Sequence, residues 1–345
     1  MIPSDVCEES SRFSNNVALR FTELLTAGIS MYGLYLLLRI TKRPSCFAVH
    51  KNFQILLYNI GISIFIEFST GVVSNLFAFF RSFIYTGHCE NVYTVWLSVL
   101  LKWPLIWMVS TMSLFHVAML LERVFASFCK ESYERMGCST GVVLCAAVWI
   151  LTFLLNYDHN LSTTYKMIMP YCITMTPQNA ERMFYLWLFL LPVELITTAG
   201  DFLLRHVNNT GRSEIIVGQY SLGRSYQMQE NYLTGKLVFP VTMVHSTFYT
   251  IYLLLSILAR ILQLRVQDRV NVIIMIIYIH NVMQLTIVMS MARYIKKVDE
   301  FEGRSEIREI RMKREESTEI YFDYLHKQMD GRFWGFPKKN VVMPV

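Results

Sequence analysis

Glu23, Glu67, Lys102, Glu194 and Asp201 stand inside stretches otherwise built from Leu, Ile, Val, Phe and Met. An ionisable side chain in a bilayer costs several kcal/mol unless it is paired or hydrated, so each is a default binding or switching candidate. Lys102 lies 21 residues before Arg123, about 30 Å along a helix. Glu67 lies 15 residues into its own apolar stretch, at a broadly similar depth. A Glu67–Lys102 pair beside a cavity is one expectation. The competing one is that Lys102 snorkels toward an interface among Trp96, Trp103 and Trp107. Glu194 follows Pro192 by two residues and Glu23 lies near one end of the first stretch. Glu23, Glu67, Lys102, Trp107 and Glu194 are therefore the ligand-pocket candidates, whereas Asp201, close to the end of its stretch, is expected to reach water.

Other chemistries find little support. His116, His245 and His280 fall in three different stretches, and no two share the spacing of one helix face, so no metal site is expected. There is no Ser-His-Asp elbow, no paired HExxH helix and no phosphate loop, so neither an enzyme nor a cofactor is expected. The run Leu121-Glu122-Arg123-Val124-Phe125-Ala126 places an acid and a guanidinium at a stretch end. Such a pair can act as a latch, with Arg123 held by Glu122 in one state and released to a partner protein in another.

Seven apolar stretches must position these residues: roughly 17–40, 53–80, 92–121, 140–157, 183–204, 237–260 and 271–294. About 20 apolar residues match a hydrocarbon core of roughly 30 Å, and in lipid the backbone must bond within its own helix. The fold class read from this is an all-α seven-transmembrane bundle. Charged residues make up 17% of the chain, against about 25% in soluble proteins. No cleavable signal peptide precedes the first stretch, which follows Asp5, Glu8 and Glu9 rather than a basic segment. The net charge of +6 sits in loops beside the spans, where it meets anionic lipid rather than nucleic acid.

Loop charge suggests a direction. Eleven basic residues, from Arg39 to Lys236, fall in three loops on one face of the membrane, against six on the other, from Arg81 to Arg269. The positive-inside rule then puts the N-terminus outside. The expected layout is an extracellular segment 1–16, a membrane domain 17–294 and a cytoplasmic tail 295–345, whose mixed charge suits a surface helix or a solvated segment. In this topology Cys7, Cys89 and Cys172 face the oxidising side, and a Cys89–Cys172 bridge is expected to tie the fourth-to-fifth-span loop over the bundle, leaving Cys7 free. Asn160-Leu161-Ser162 is a glycosylation sequon in that loop, while Asn208-Asn209-Thr210 falls on the cytoplasmic side. Pro104, Pro192 and Pro240 can kink their helices by removing a backbone bond.

Glu122-Arg123 stands where rhodopsin-like G-protein-coupled receptors carry an Asp-Arg-Tyr motif, and the chain resembles that group there. The segment Ser221-Leu222-Gly223-Arg224-Ser225-Tyr226-Gln227-Met228-Gln229-Glu230-Asn231 resembles the SLSxRYQxxEN signature of nematode serpentine chemoreceptors of the Sra superfamily. Leu121 to Arg135 is similar to that group too. Class epsilon (Sre) is the class it most resembles, with the tail segment Tyr321-Phe322 in keeping, and classes alpha and alpha-beta are alternatives. The match departs at Gly223-Arg224-Ser225. The sixth span also lacks Cys-Trp-x-Pro and the seventh lacks Asn-Pro-x-x-Tyr, so rhodopsin-like activation geometry does not carry over.

The resemblance implies a chemosensory receptor in the plasma membrane, in sensory cilia, that binds an external small molecule and activates a heterotrimeric G protein. Glu122, Arg123, Arg224, Tyr226, Gln227, Glu230 and Asn231 would face that partner. The alternative from another class is a ligand-gated channel or a transporter. It would call for charges along one continuous pore or for repeated halves, and neither is evident.

Overall fold

The computed structural model describes residues 4–42, 50–85, 89–128, 137–161, 167–172, 179–214, 222–263, 278–279, 281–282 and 284–296. Side chains within 158–161, 209–234, 236–238 and at a few positions near 260 also lie outside the described set. The chain divides into two units, Met1–Ile295 and Lys296–Val345. The second, which holds the expected tail, lies outside the described residues apart from Lys296.

The helices are α1 (Ser4–Ser14), α2 (Val17–Thr41), α3 (Lys51–Ile84), α4 (Val95–Phe128), α5 (Ser139–Leu161), α6 (Ala180–Glu214) and α7 (Leu222–Gln263). A last helical stretch, α8, is described at 278–279, 281–282 and 284–296. Six of these, α2 to α7, are long and apolar enough to cross a membrane. The seventh expected span, 271–294, lies partly outside the described residues. Large apolar side chains on the outer faces, such as Phe21, Phe65, Ile150 and Ile196, are exposed. That inverts the water-soluble pattern and suits a bundle solvated by lipid, so the chain is a multi-pass membrane protein.

Packing between the spans joins apolar contacts to a few polar bonds. One core gathers Phe68, Met112, Leu190, Tyr249 and Leu253, and a second gathers Phe53, Leu56, Phe115 and Val148. Lipid tails are as apolar as leucine, so burial alone gives helices little reason to associate, and interhelical hydrogen bonds add cohesion. The Trp149 indole donates to Asn59 Oδ1 at 3.0 Å, joining α5 to α3. Asn156 donates to the Ser110 hydroxyl at 2.8 Å, joining α5 to α4. On α2, Thr26 donates to Asn281, and Ser30 donates to Gln284 at 2.9 Å. Gly141 lets α5 touch α3: a Cβ there would lie 2.6 Å from the Asn52 carbonyl oxygen.

Two features at the N-terminal end of the bundle escape the sequence reading. Helix α1 is polar and short. Tyr93–Thr94 (β1) and Ile168–Met169 (β2) pair antiparallel, Tyr93 opposite Met169 and Thr94 opposite Ile168. Together they cover this end of the helices. Phe13 of α1 stacks on Tyr171 with ring centroids 5.1 Å apart. Arg81 at the end of α3 donates to Val92 O at 2.9 Å.

The disulfide corrects the expected pairing. Cys7 bonds to Cys89, with their Cα atoms 4.5 Å apart, and Cys172 is a buried free thiol. The cause is α1, whose position carries Cys7 to Cys89. The segment bearing Cys172 is held by the β pairing and the Phe13–Tyr171 stack, and needs no bridge of its own. Burial, the dominant cause, pushes the Cys172 thiol and the Tyr171 phenol above their ordinary titration ranges.

Candidate functional site

Two groups of buried polar side chains lie along α4. The first is near the β-paired end. The Tyr171 hydroxyl donates to Glu23 Oε1 at 2.9 Å, while Glu23 Oε2 has no hydrogen-bond partner among the described residues. The Lys102 ammonium donates to Asn75 Oδ1 at 2.9 Å. Lys102 also lies within electrostatic reach of Glu23 and Cys172. The Glu67–Lys102 pair is not formed. Asn75 is eight residues beyond Glu67 on α3, about 12 Å along the axis, so Lys102 reaches the bundle above Glu67 rather than beside it.

Glu67 is fully buried and, among the described residues, neither carboxyl oxygen has a hydrogen-bond partner. Tyr249 and Tyr252 lie within its electrostatic reach. Buried polar groups are nearly always bonded, so this one marks a position with unused hydrogen-bonding capacity. Trp107 stacks on Trp103 at 5.1 Å and meets the edge of Trp149 at 5.9 Å. The indole nitrogens of Trp103 and Trp107 are likewise buried without partners.

The second group lies 14 residues further along α4 from Lys102, about 20 Å. The His116 ring sits between two carboxylates: Nδ1 is 2.9 Å from Glu194 Oε1, and Nε2 is 2.9 Å from Asp201 Oδ2. Both contacts are satisfied when each ring nitrogen donates, which is the imidazolium form. Ser113 donates to Glu194 Oε2 at 3.3 Å. His245 of α7 stands edge-on to His116 at 6.2 Å and stacks on Tyr249 at 5.3 Å, and the Tyr249 hydroxyl donates to Val109 O on α4. Thr198 of α6 and Ser246 of α7 share a hydrogen bond. These bonds fasten α4, α6 and α7 to one another.

This second group was not legible from spacing. Asp201 does not simply reach water: its side chain is 13% exposed and bonded to His116. The three nearby ligand atoms of His116, Glu194 and His245 lie within 4.8 Å of one another. They come from three helices, so no one-helix spacing could reveal them. The signal that would have found them is the rule already applied to the carboxylates, extended to a histidine inside an apolar stretch.

At the far end of α4, Arg123 lies against its neighbour Glu122, with Nη2 3.0 Å from Oε1. Its guanidinium also sits over the Phe53 ring, 4.2 Å from the centroid, which ties α4 to the start of α3. Glu122 is fully buried and the Arg123 side chain is 13% exposed. Arg224, Tyr226, Gln227, Glu230 and Asn231 lie in the first three turns of α7, and their side chains are outside the described residues, as is that of Asn160 at the end of α5.

A sequence model described as serpentine type 7TM GPCR receptor class ab chemoreceptor matches residues 4–330. The chain is 24% identical over 259 residues to serpentine receptor class beta-13 of Caenorhabditis elegans, covering 74% of each protein. It is 24% identical over 212 residues to serpentine receptor class beta-17 of the same organism, covering 59% of this chain and 57% of that one. It is also 20% identical over 269 residues to serpentine receptor class beta-6, covering 74% of this chain and 75% of that one. The matching class is ab, the alpha-beta alternative, rather than epsilon or alpha. A signature of eleven residues with a three-residue departure is too short to separate sister classes.

Proposed function

This chain belongs to the class ab serpentine chemoreceptor family, and from that premise we propose that it is a chemosensory receptor coupled to a heterotrimeric G protein. Its N-terminus is outside, seven spans cross the plasma membrane with the last over 271–294, and the tail 295–345 is cytoplasmic. The family resemblance supports placement in sensory cilia. The agonist is an external small molecule with a polar or cationic group. It enters the outer half of the bundle, reaching Glu23 and Lys102 above and Glu67 and Trp107 deeper.

One observation carries this reading: unused polar capacity on α3, beside a hydrogen-bonded polar network that α4 makes with α6. Glu67 has two unpartnered buried oxygens, whereas His116 has a carboxylate on each ring nitrogen. A molecule bound at the first group and contacting α3 and α4 shifts how α4 sits against α6 and α7 at the second. It does so only to the extent that it binds the two arrangements with different affinity. Glu194 belongs to the network rather than to the pocket. At the inner end Arg123 leaves Glu122 and Phe53, and meets the G protein together with Arg224, Tyr226, Gln227, Glu230 and Asn231 on α7.

The test is a G-protein coupling assay in cells with a panel of volatile and water-soluble compounds, comparing wild type with Arg123→Ala and Glu67→Gln. The expected result is a response that Arg123→Ala abolishes and Glu67→Gln shifts to higher ligand concentration. A ligand-driven ion current that needs no G protein would defeat the receptor reading in favour of a channel. Glycan mapping tests the topology: a glycan on Asn160 supports it and one on Asn208 overturns it.

A further inference from the structure

We propose that His116, Glu194 and His245 form a binding site for a divalent transition-metal ion between α4, α6 and α7. The three candidate ligand atoms lie within 4.8 Å of one another. Around a tetrahedral ion with bonds near 2.0–2.2 Å, ligand atoms stand roughly 3.3 Å apart. Nδ1 of His116 and Oε1 of Glu194 are already 2.9 Å apart. The remaining closure asks little more than a rotation of the His245 ring. Among the described residues, that ring makes stacking contacts with Tyr249 and His116 and no hydrogen bond.

The surroundings are those a metal-ligating imidazole requires. Such a ring usually turns its second nitrogen to a carboxylate, which fixes the tautomer and makes the ligating nitrogen more basic. Nε2 of His116 meets Asp201 Oδ2 at 2.9 Å, leaving Nδ1 as the nitrogen directed at Glu194 and His245. Charge agrees. Two carboxylates against one imidazolium leave an excess negative charge in a dry bundle. When a divalent ion replaces the Nδ1 proton, which leaves to solvent, the group becomes neutral. Two imidazoles and one carboxylate favour zinc or copper over magnesium or calcium. Three protein ligands also leave a fourth position for water or another donor. A metal there would clamp three helices directly, where the unmetallated group joins them through a proton.

Binding is measured on the purified full chain in detergent and does not depend on the receptor reading. Zinc is added with magnesium as control, and cobalt is substituted as a spectroscopic probe. The expected result is a rise in unfolding temperature with zinc alone, and visible cobalt absorption typical of a nitrogen–oxygen tetrahedral site without a thiolate charge-transfer band. His245→Ala should bind one metal equivalent fewer and lose that absorption. Asp201→Asn should weaken binding about 10- to 100-fold. Wild-type protein that shows no such cobalt spectrum overturns the site whether or not any variant folds. So does a His245→Ala variant that binds as much zinc as wild type, and His245→Gln serves the same comparison if the alanine variant does not fold.

Discussion

The two polar groups along α4 are built from similar residues and spend them differently. At His116 each charged group faces an opposite charge from another helix, at 2.9 Å on either side of the ring. At Glu23, Glu67 and Lys102 no carboxylate meets the ammonium in a direct ion pair, although Glu23 lies within electrostatic reach of Lys102. Lys102 takes a neutral amide, Glu23 takes a phenol with one oxygen, and Glu67 takes nothing among the described residues. The first arrangement binds helices together through bonds already made, and what it can exchange is a proton for the proposed metal ion. The second tolerates, among the described residues, unsatisfied groups inside the bundle, which costs stability. Within one membrane protein, charge alone therefore does not mark a pocket.

The sharpest way to break that contrast is to remove one acid from each group and measure thermal unfolding in detergent. Glu194→Ala strips a partner from the His116 imidazolium and should cost about 3–5 kcal/mol. Glu67→Gln removes no hydrogen bond seen in the structure and should cost less than about 1 kcal/mol. Equal losses would mean that Glu67 is structural and that the contrast is wrong. Next in size is the cap. Cys7→Ser should destabilise by about 2–4 kcal/mol under non-reducing conditions, and Cys172→Ser by less than about 1 kcal/mol. The reverse order would restore the pairing with Cys172. Tyr171→Phe leaves both oxygens of Glu23 unbonded and should cost about 1–3 kcal/mol, with a change in ligand response that Phe13→Leu does not reproduce. The smallest effect is chemical. Burial holds the Cys172 thiol protonated, so in site-resolved mass spectrometry a maleimide should label exposed Cys138 well before Cys172.

The long elements were legible because a bilayer imposes length and composition together. The reading 53–80 becomes Lys51–Ile84, and 183–204 becomes Ala180–Glu214, since helices run on past the hydrocarbon once their own bonds are started. Helix α1 and the two-residue strands were not legible. They are too short and polar to show a period, and they exist through contacts with residues far along the chain, as Cys7 has with Cys89. For the sites, the rule that a membrane charge must have a reason singled out Glu23, Glu67, Lys102 and Glu194 correctly as unusual residues. It could not choose their partners. Which face of a helix meets which neighbour depends on the rotation of whole helices, and sequence spacing within one helix does not contain it. Hence spacing alone does not separate a Glu67–Lys102 pair from the observed Lys102–Asn75 bond, nor does it reveal the triad of His116, Glu194 and Asp201.

Helix α7 runs for 42 residues, Leu222–Gln263, about 63 Å, or twice the thickness of a hydrocarbon core. Its apolar window begins at Phe239 and Pro240 lies just inside it. Seventeen residues, 222–238, therefore project as a rod of about 25 Å. With the proline as fulcrum, a tilt of some ten degrees at the membrane boundary sweeps the far tip through roughly 4 Å, by the same rise per residue. A displacement too small to open a gap among packed side chains becomes, at the end of this arm, one large enough for another protein to feel.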